Sequence, residues 1–254
     1  MKNISLNNYN LDSFLKDLDE LNIQLNEVQL CQFMAYYELL VEWNQVMNLT
    51  AITDFEEVCK KHFIDSLSLV KASGESSKEV VDLNTITNVI DIGTGAGFPG
   101  IPLKIVFPNL KITLLDSLNK RINFLQTVIE ELELTEVVAI HGRAEDFARQ
   151  SDYREKFDLC VSRAVSNLST LSEYCLPYVK KNGRFISYKS EKLTEEITSA
   201  KKAISILGGR IENQKAFTIP NSDIHRNLLV IYKCENTPDK YPRKAGLPEK
   251  KPII

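Results

Sequence analysis

Hydrophobic positions change their period near residue 88 of this 254-residue chain. Before that point they follow helical spacing. Leu11, Phe14, Leu15, Leu18 and Leu21 make one apolar stripe, and Leu30, Phe33, Met34, Tyr37, Leu40 and Val41 make a second. Thr53-Asp-Phe-Glu56 has the form of a capping box and predicts a third helix running through Leu69. Residues 73–78 read as a connection. From residue 88 onward, short apolar runs alternate with helical ones. Strands are predicted over 88–93, 111–116, 137–142, 157–162 and 183–189, with helices over 101–107, 119–132, 168–179 and 191–207. Gly208-Gly209 ends the last helix. Two closing strands, 210–219 and 227–233, are joined by the polar turn 220–226 with no helix between them, so they should pair antiparallel. The prediction is an α/β fold: a seven-stranded, mostly parallel sheet with a C-terminal antiparallel hairpin, preceded by a helical N-terminal extension.

Open α/β sheets bind ligands beyond the carboxyl ends of their strands, and polar chemistry collects there in this sequence. Asp91-Ile-Gly-Thr-Gly-Ala-Gly-Phe-Pro-Gly100 follows the first strand, and Asp116-Ser117 ends the second. Arg143-Ala-Glu-Asp146 follows the third, Arg163-Ala164 the fourth, and Lys189 ends the fifth. Gly93 and Gly95 would let an adenosine-containing cofactor approach the backbone. Asp116 would accept hydrogen bonds from ribose hydroxyls, and the backbone at Ala144 and Glu145 would read an adenine edge. Each has a structural alternative: Asp116 capping the next helix, Glu145 answering a helix dipole, Phe98 packing in the core, Arg163 and Lys189 as surface cations. Gly95-Ala-Gly97-Phe-Pro-Gly100 also fits the dinucleotide fingerprint. Pro99, however, removes an N–H at the helix start where a pyrophosphate wants donors, which favours S-adenosylmethionine, a cofactor without phosphate.

Composition narrows the class. With 43% apolar and 26% charged residues and no apolar run near the ~20 residues of a membrane span, no membrane association is expected. The first residues carry no apolar signal region, so the expected compartment is the cytoplasm. Cys31, Cys59, Cys160, Cys175 and Cys234 show no C-x-x-C pair, so neither a metal site nor a disulfide framework is expected. Net charge is −3, but unevenly spread: residues 1–87 hold 6 basic and 14 acidic side chains (net −8), and residues 233–254 hold 6 and 3 (net +3). A basic, proline-rich tail over 241–254 reads as extended and suited to phosphate contacts, with a merely solvated tail, or packing of Tyr241, Pro242 and Leu247 onto the domain, as the alternatives.

The glycine-loop motif continued through Ile101-Pro102 resembles the signature of the glucose-inhibited division protein B family. Trp43-Asn44, Asn48-Leu-Thr50, Lys61-His-Phe-Ile-Asp-Ser-Leu67, His141-Gly-Arg-Ala-Glu145, Ser162-Arg-Ala164 and Tyr241-Pro-Arg-Lys-Ala-Gly-Leu-Pro248 match in the same order. The resemblance implies a Rossmann-like class I methyltransferase domain over 88–240, behind the helical extension 1–87 and ahead of the tail. It implies S-adenosylmethionine as cofactor, with contacts at Gly93, Phe98, Ala144, Glu145 and Arg163. It implies methylation at guanine N7 in the 16S ribosomal RNA of the small subunit. N7 carries a free lone pair, so no general base is needed. Arg163 and Lys189 are then assigned to RNA phosphate, guanine O6 or the cofactor carboxylate. His62 and Asp65, one helical turn apart, would interact or face the cleft, with a solvated or capping role as the alternative. The partner is the RNA or the subunit, and the protein is expected to be a monomer. Two other readings stay open: an NAD-dependent oxidoreductase, which needs a proton relay such as Tyr188-Lys189, and a non-enzymatic RNA-binding assembly factor.

Overall fold

Five parallel strands and one antiparallel hairpin make a single sheet in the order β3-β2-β1-β4-β5-β7-β6 in the computed structural model of the protein. The structure describes residues 4–72, 82–83, 85–163, 166–190 and 193–254; the predicted connection at 73–78, Ala164 and the predicted helix start at Glu191 lie outside them. The strands are β1 (Asn88–Ile92), β2 (Lys111–Asp116), β3 (Val137–His141), β4 (Phe157–Arg163), β5 (Val179–Lys189), β6 (Gly209–Thr218) and β7 (His225–Lys233). The predicted antiparallel hairpin is β6–β7, with an irregularity between Ile211 and Asn213, and β7 also pairs antiparallel with β5. Chain order reverses between β1 and β4. That switch point opens a crevice at their carboxyl ends, where a ligand site belongs.

Strand residues alternate between two cores, as a period of two requires. Val89, Ile112, Leu114, Leu159, Val161 and Tyr188 join one cluster; Ile90, Ile92, Leu115, Cys160 and Phe185 join the other. The first face is covered by α5 (Gly100–Val106) and α6 (Asn119–Glu131), and over these lies the N-terminal layer. That layer contains α1 (Asp12–Glu20), α2 (Glu27–Met47) and a third helical segment. Phe14, Phe33, Tyr36 and Phe63 share one continuous core with the sheet, so the layer is the outer skin of that face. The second face is covered by α8 (Leu168–Cys175) and α9 (Thr194–Ile206), with the short α7 (Ala144–Phe147) at its edge.

The third segment differs from the single helix expected. It begins as α3 (Phe55–Val58), widens to a π-helix over Cys59–Ile64, and resumes as α4 (Asp65–Leu67) before a 3-10 stretch, Ser68–Ala72. Its cap is Asp54, whose Oδ1 accepts from the Glu57 N–H at 3.0 Å, rather than Thr53. π turns are frequent at functional sites, and this one carries Lys61 and His62. The tail also differs. It packs on the domain and includes a turn of helix, α10 (Leu247–Lys250). Arg243, one of its cations, forms a bidentate pair with the buried Glu173, at 2.7 Å from Nη2 to Oε2. Among the described residues, no helix is long and apolar enough to cross a membrane.

Candidate active site at the sheet's switch point

β1 runs straight into the glycine loop. Gly93, Gly95 and Gly97 have φ of 68°, 63° and 98°, left-handed conformations that glycine adopts without a Cβ penalty. Gly95 and Gly97 serve different ends. A Cβ on Gly97 would lie 2.7 Å from Ile101 Cγ1, 2.8 Å from the Tyr36 hydroxyl and 2.9 Å from Leu125 Cδ2. The loop, α5 and the N-terminal layer close together there. A Cβ on Gly95 would meet nothing within 4 Å, because this residue faces a cavity.

Nearly every N–H of the loop is used inside the protein. Gly93 and Thr94 donate to Leu115 O (2.9 and 3.2 Å), and Gly97 and Phe98 donate to Thr94 O (both 3.0 Å). Gly95 donates to Asp116 Oδ2 and Gly100 to Asp91 Oδ2, both at 2.9 Å. Asp91 Oδ2 also accepts from the Thr94 hydroxyl at 2.7 Å, so one buried carboxyl ties both ends of the loop. Burial pushes Asp91 up to about 7, against the hydrogen bonds from Thr94 and Gly100 that pull it down. From above, the Tyr36 hydroxyl of α2 donates to Ala96 O. Neither Asp91 nor Tyr36 was chosen as a site residue from the sequence; the D-x-G spacing pointed to the first, and nothing pointed to the second.

Two cavities flank the loop, and both are lined by Gly93. The smaller, about 410 Å³, is bounded by Asp116, Ser117, Ala144, Glu145, Tyr174 and Gly246. The larger, about 640 Å³, is bounded by Gly95, His62, Phe98, Arg163, Lys189 and Arg226, among others. All eight residues selected from the sequence therefore line one or the other. Asp116 is buried and already engaged: Oδ2 accepts from Gly95, Oδ1 accepts from the Leu118 N–H at 2.9 Å, and Arg121 Nη1 lies 3.1 Å from Oδ2. It holds the loop and the start of α6 while lining the cavity.

Arg163, at the end of β4, organises the larger cavity. Its Nη1 donates to Asp65 Oδ2 at 2.8 Å and to Lys61 O at 3.0 Å, and its guanidinium carbon sits 5.1 Å from the centre of the Phe98 ring. Asp65 Oδ1 accepts from Arg226 Nε at 2.9 Å, so this buried carboxylate joins two arginines. The His62 ring stacks on Phe98, with centroids 4.6 Å apart. Arg163 Nη2 approaches His62 Nδ1 at 3.3 Å, and His62 Nε2 lies 2.8 Å from the Thr50 hydroxyl. Since arginine only donates, Nδ1 accepts and the proton belongs on Nε2, facing Thr50. Lys189, at the end of β5, lines the same cavity, donating to Ser166 O at 2.8 Å and pairing at 3.0 Å with Glu196, another of its lining residues.

Burial, and after it the charge of Arg163, lowers the His62 pKa from 6.5 to about 4. Between those values the unfolded chain holds a proton that the folded protein refuses, so stability falls as pH drops from about 6.5 towards about 4. The complete effect is roughly 3 kcal/mol. His62→Phe should flatten this part of the pH–stability curve, as measured by urea unfolding at several pH values. Asp91 titrates in the opposite sense in both proteins, so their difference isolates His62. An unchanged slope would contradict a neutral imidazole.

Known proteins share this arrangement's sequence. The family described as rRNA small subunit methyltransferase G matches residues 29–228. The chain is 53% identical to Ribosomal RNA small subunit methyltransferase G of Lachnoclostridium phytofermentans over 242 residues, covering 95% of this chain and 97% of the relative. It is 51% identical to the protein of that name from Alkaliphilus metalliredigens, covering 94% and 97%. With the Bacillus subtilis protein of that name the identity is 48%, covering 96% and 99%. The matched residues 29–228 include α2 and the glycine loop. The chain belongs to the rRNA small subunit methyltransferase G family.

Proposed function

We propose that this protein transfers a methyl group from S-adenosylmethionine to N7 of a guanine in the 16S ribosomal RNA of the small subunit. The observation that carries the cofactor choice is the fate of the glycine loop's N–H groups. A pyrophosphate cradle needs such groups free and pointing at the ligand. Here Gly93, Thr94, Gly95, Gly97, Phe98 and Gly100 all donate within the protein. A phosphate-free cofactor loses nothing in that setting. The smaller cavity offers it a carboxylate at Asp116 and backbone at Ala144 and Glu145, which suits an adenosine. Gly93 leads from there to the larger cavity, where the target base would sit.

S-adenosylmethionine supplies a methyl group already activated as an electrophile, and guanine N7 has an in-plane lone pair to receive it. No proton has to leave first. The cavity agrees with that requirement: both His62 nitrogens and both Asp65 oxygens are committed to hydrogen bonds, so neither is poised as a general base. The protein's contribution is placement. Phe98 and His62 give a flat wall for a base, and Arg163 fixes that wall. Positioning of reacting atoms alone supplies up to roughly 7–11 kcal/mol. The ion pairs with Asp65 and Glu196 offset Arg163 and Lys189, which eases the approach of positive charge to the purine. This reading assigns both cations to positioning the base and its phosphate. It also places the enzyme in the cytoplasm, as a monomer, with its RNA or subunit substrate.

The oxidoreductase reading loses its proton relay. The Tyr188 hydroxyl donates to Ser66 O at 2.7 Å in a buried setting, while Lys189 is engaged by Ser166 and Glu196. Titration calorimetry with S-adenosylmethionine and with NAD separates the two. The expected result is binding of the first and none of the second; the reverse would overturn the proposal.

A further inference from the structure

We propose that residues 241–254 are a strap forming the outer wall of the smaller cavity's adenosine end, and that the Glu145 side chain latches the strap there. This rests on the cofactor assignment above and adds an element to it. The basic tail thereby becomes part of the cofactor site, in place of the RNA-contacting arm its composition suggests.

The strap is fixed along its length. Arg154 donates to Thr237 O at 2.7 Å and to Tyr241 O at 2.9 Å, and Arg149 donates to Pro242 O. Arg243 grips Glu173 with its guanidinium and, at 2.7 Å, with its own N–H. Thr170 donates to Pro248 O at 3.1 Å and Ser169 to Ile253 O. All these anchors lie on α8 or on the turn after α7, the elements that back the cavity.

The middle of the strap then reaches the cavity itself. Gly246 and Glu249 line it together with Asp116 and Ala144. Gly246 turns at φ 77° and points its N–H at Glu145 Oε1, 2.8 Å away. Glu145 is 6% exposed. Its backbone is the stretch assigned to the adenine edge, and its side chain is occupied by the strap. One residue thus joins the ligand's floor to the ligand's wall, so freeing the strap removes a wall and leaves a buried carboxyl without its donor.

Two measurements test this. In the wild-type protein, adding S-adenosylmethionine should slow amide hydrogen exchange across residues 241–251. Glu145→Ala should weaken S-adenosylmethionine binding about tenfold or more, the loss of one hydrogen bond to a charged acceptor. Glu145→Gln, which keeps an acceptor oxygen, should restore affinity to within about twofold of wild type. 5′-Methylthioadenosine, which keeps the adenosine end alone, should lose affinity by the same factor as the full cofactor. Unchanged exchange in the strap together with unchanged affinity of Glu145→Ala would overturn the strap while leaving the cofactor assignment standing. Failure of the wild-type protein to bind S-adenosylmethionine would instead overturn that assignment.

Discussion

Asp65→Ala is expected to destabilise the protein by roughly 3 kcal/mol and to remove nearly all methyl transfer. Breaking a buried ion pair by deleting one partner costs about 3–5 kcal/mol, because the other charge is left unpaired. Here two guanidiniums are left, those of Arg163 and Arg226. Their side chains are 15% and 26% exposed, and that solvent contact places the cost at the low end of the range. Activity should suffer more than stability. Arg163 also fixes the Phe98–His62 wall, and without Asp65 it is free to leave it. Asp65→Asn keeps the shape and one neutral acceptor, so it should fall between. Urea midpoints and single-turnover rates check both effects. An alanine variant within about 0.5 kcal/mol of wild type, turning over normally, would show that the arginines are held by something else.

The second large effect divides two neighbouring glycines. Gly97→Ala should lower stability by roughly 2–5 kcal/mol, combining an unfavourable left-handed residue with overpacking against Ile101, Tyr36 and Leu125. Gly95→Ala should cost only about 1–2 kcal/mol, the backbone penalty alone, because its methyl group enters open space. In binding the order reverses among folded protein. The Gly95 methyl group projects into the cavity and should obstruct the cofactor, whereas the Gly97 methyl group points into the core. Melting curves and calorimetry on both variants give the comparison, and the opposite order in stability would contradict the packing described for the loop.

The sheet was legible because its strands announce themselves by period and their ends by polar residues. A parallel strand buried on both faces needs a continuous apolar run, and the residue just beyond it meets solvent or ligand. That rule points to Asp116, Arg163, Lys189 and the stretch 143–146, and the family resemblance marks Ala144, Glu145 and Arg163 as well. The His62–Asp65–Arg163–Arg226 cluster was not legible in the same way. Arg163 and Asp65 are 98 residues apart in sequence and Arg226 and Asp65 are 161 apart, so no local spacing encodes their meeting. The helix start at Asp54 was misplaced by one residue because two capping patterns overlap there, Thr53 with Glu56 and Asp54 with Glu57. The π turn has no recognisable sequence signal. The tail was read by its charge and prolines, and its partners, Glu173 and Glu145, are acids whose burial depends on how α7 and α8 pack.

The central claim is methylation of guanine N7 in small-subunit RNA, and one measurement meets it directly. Small-subunit RNA from a strain lacking this gene is incubated, naked or as subunits, with the purified protein and S-adenosylmethionine. It is then treated with borohydride and aniline to cleave at 7-methylguanosine. The account predicts a single new scission at one guanine, absent without protein or cofactor and absent with the Asp65→Ala variant. Methyl incorporation without any scission would place the methyl on another atom and contradict the account.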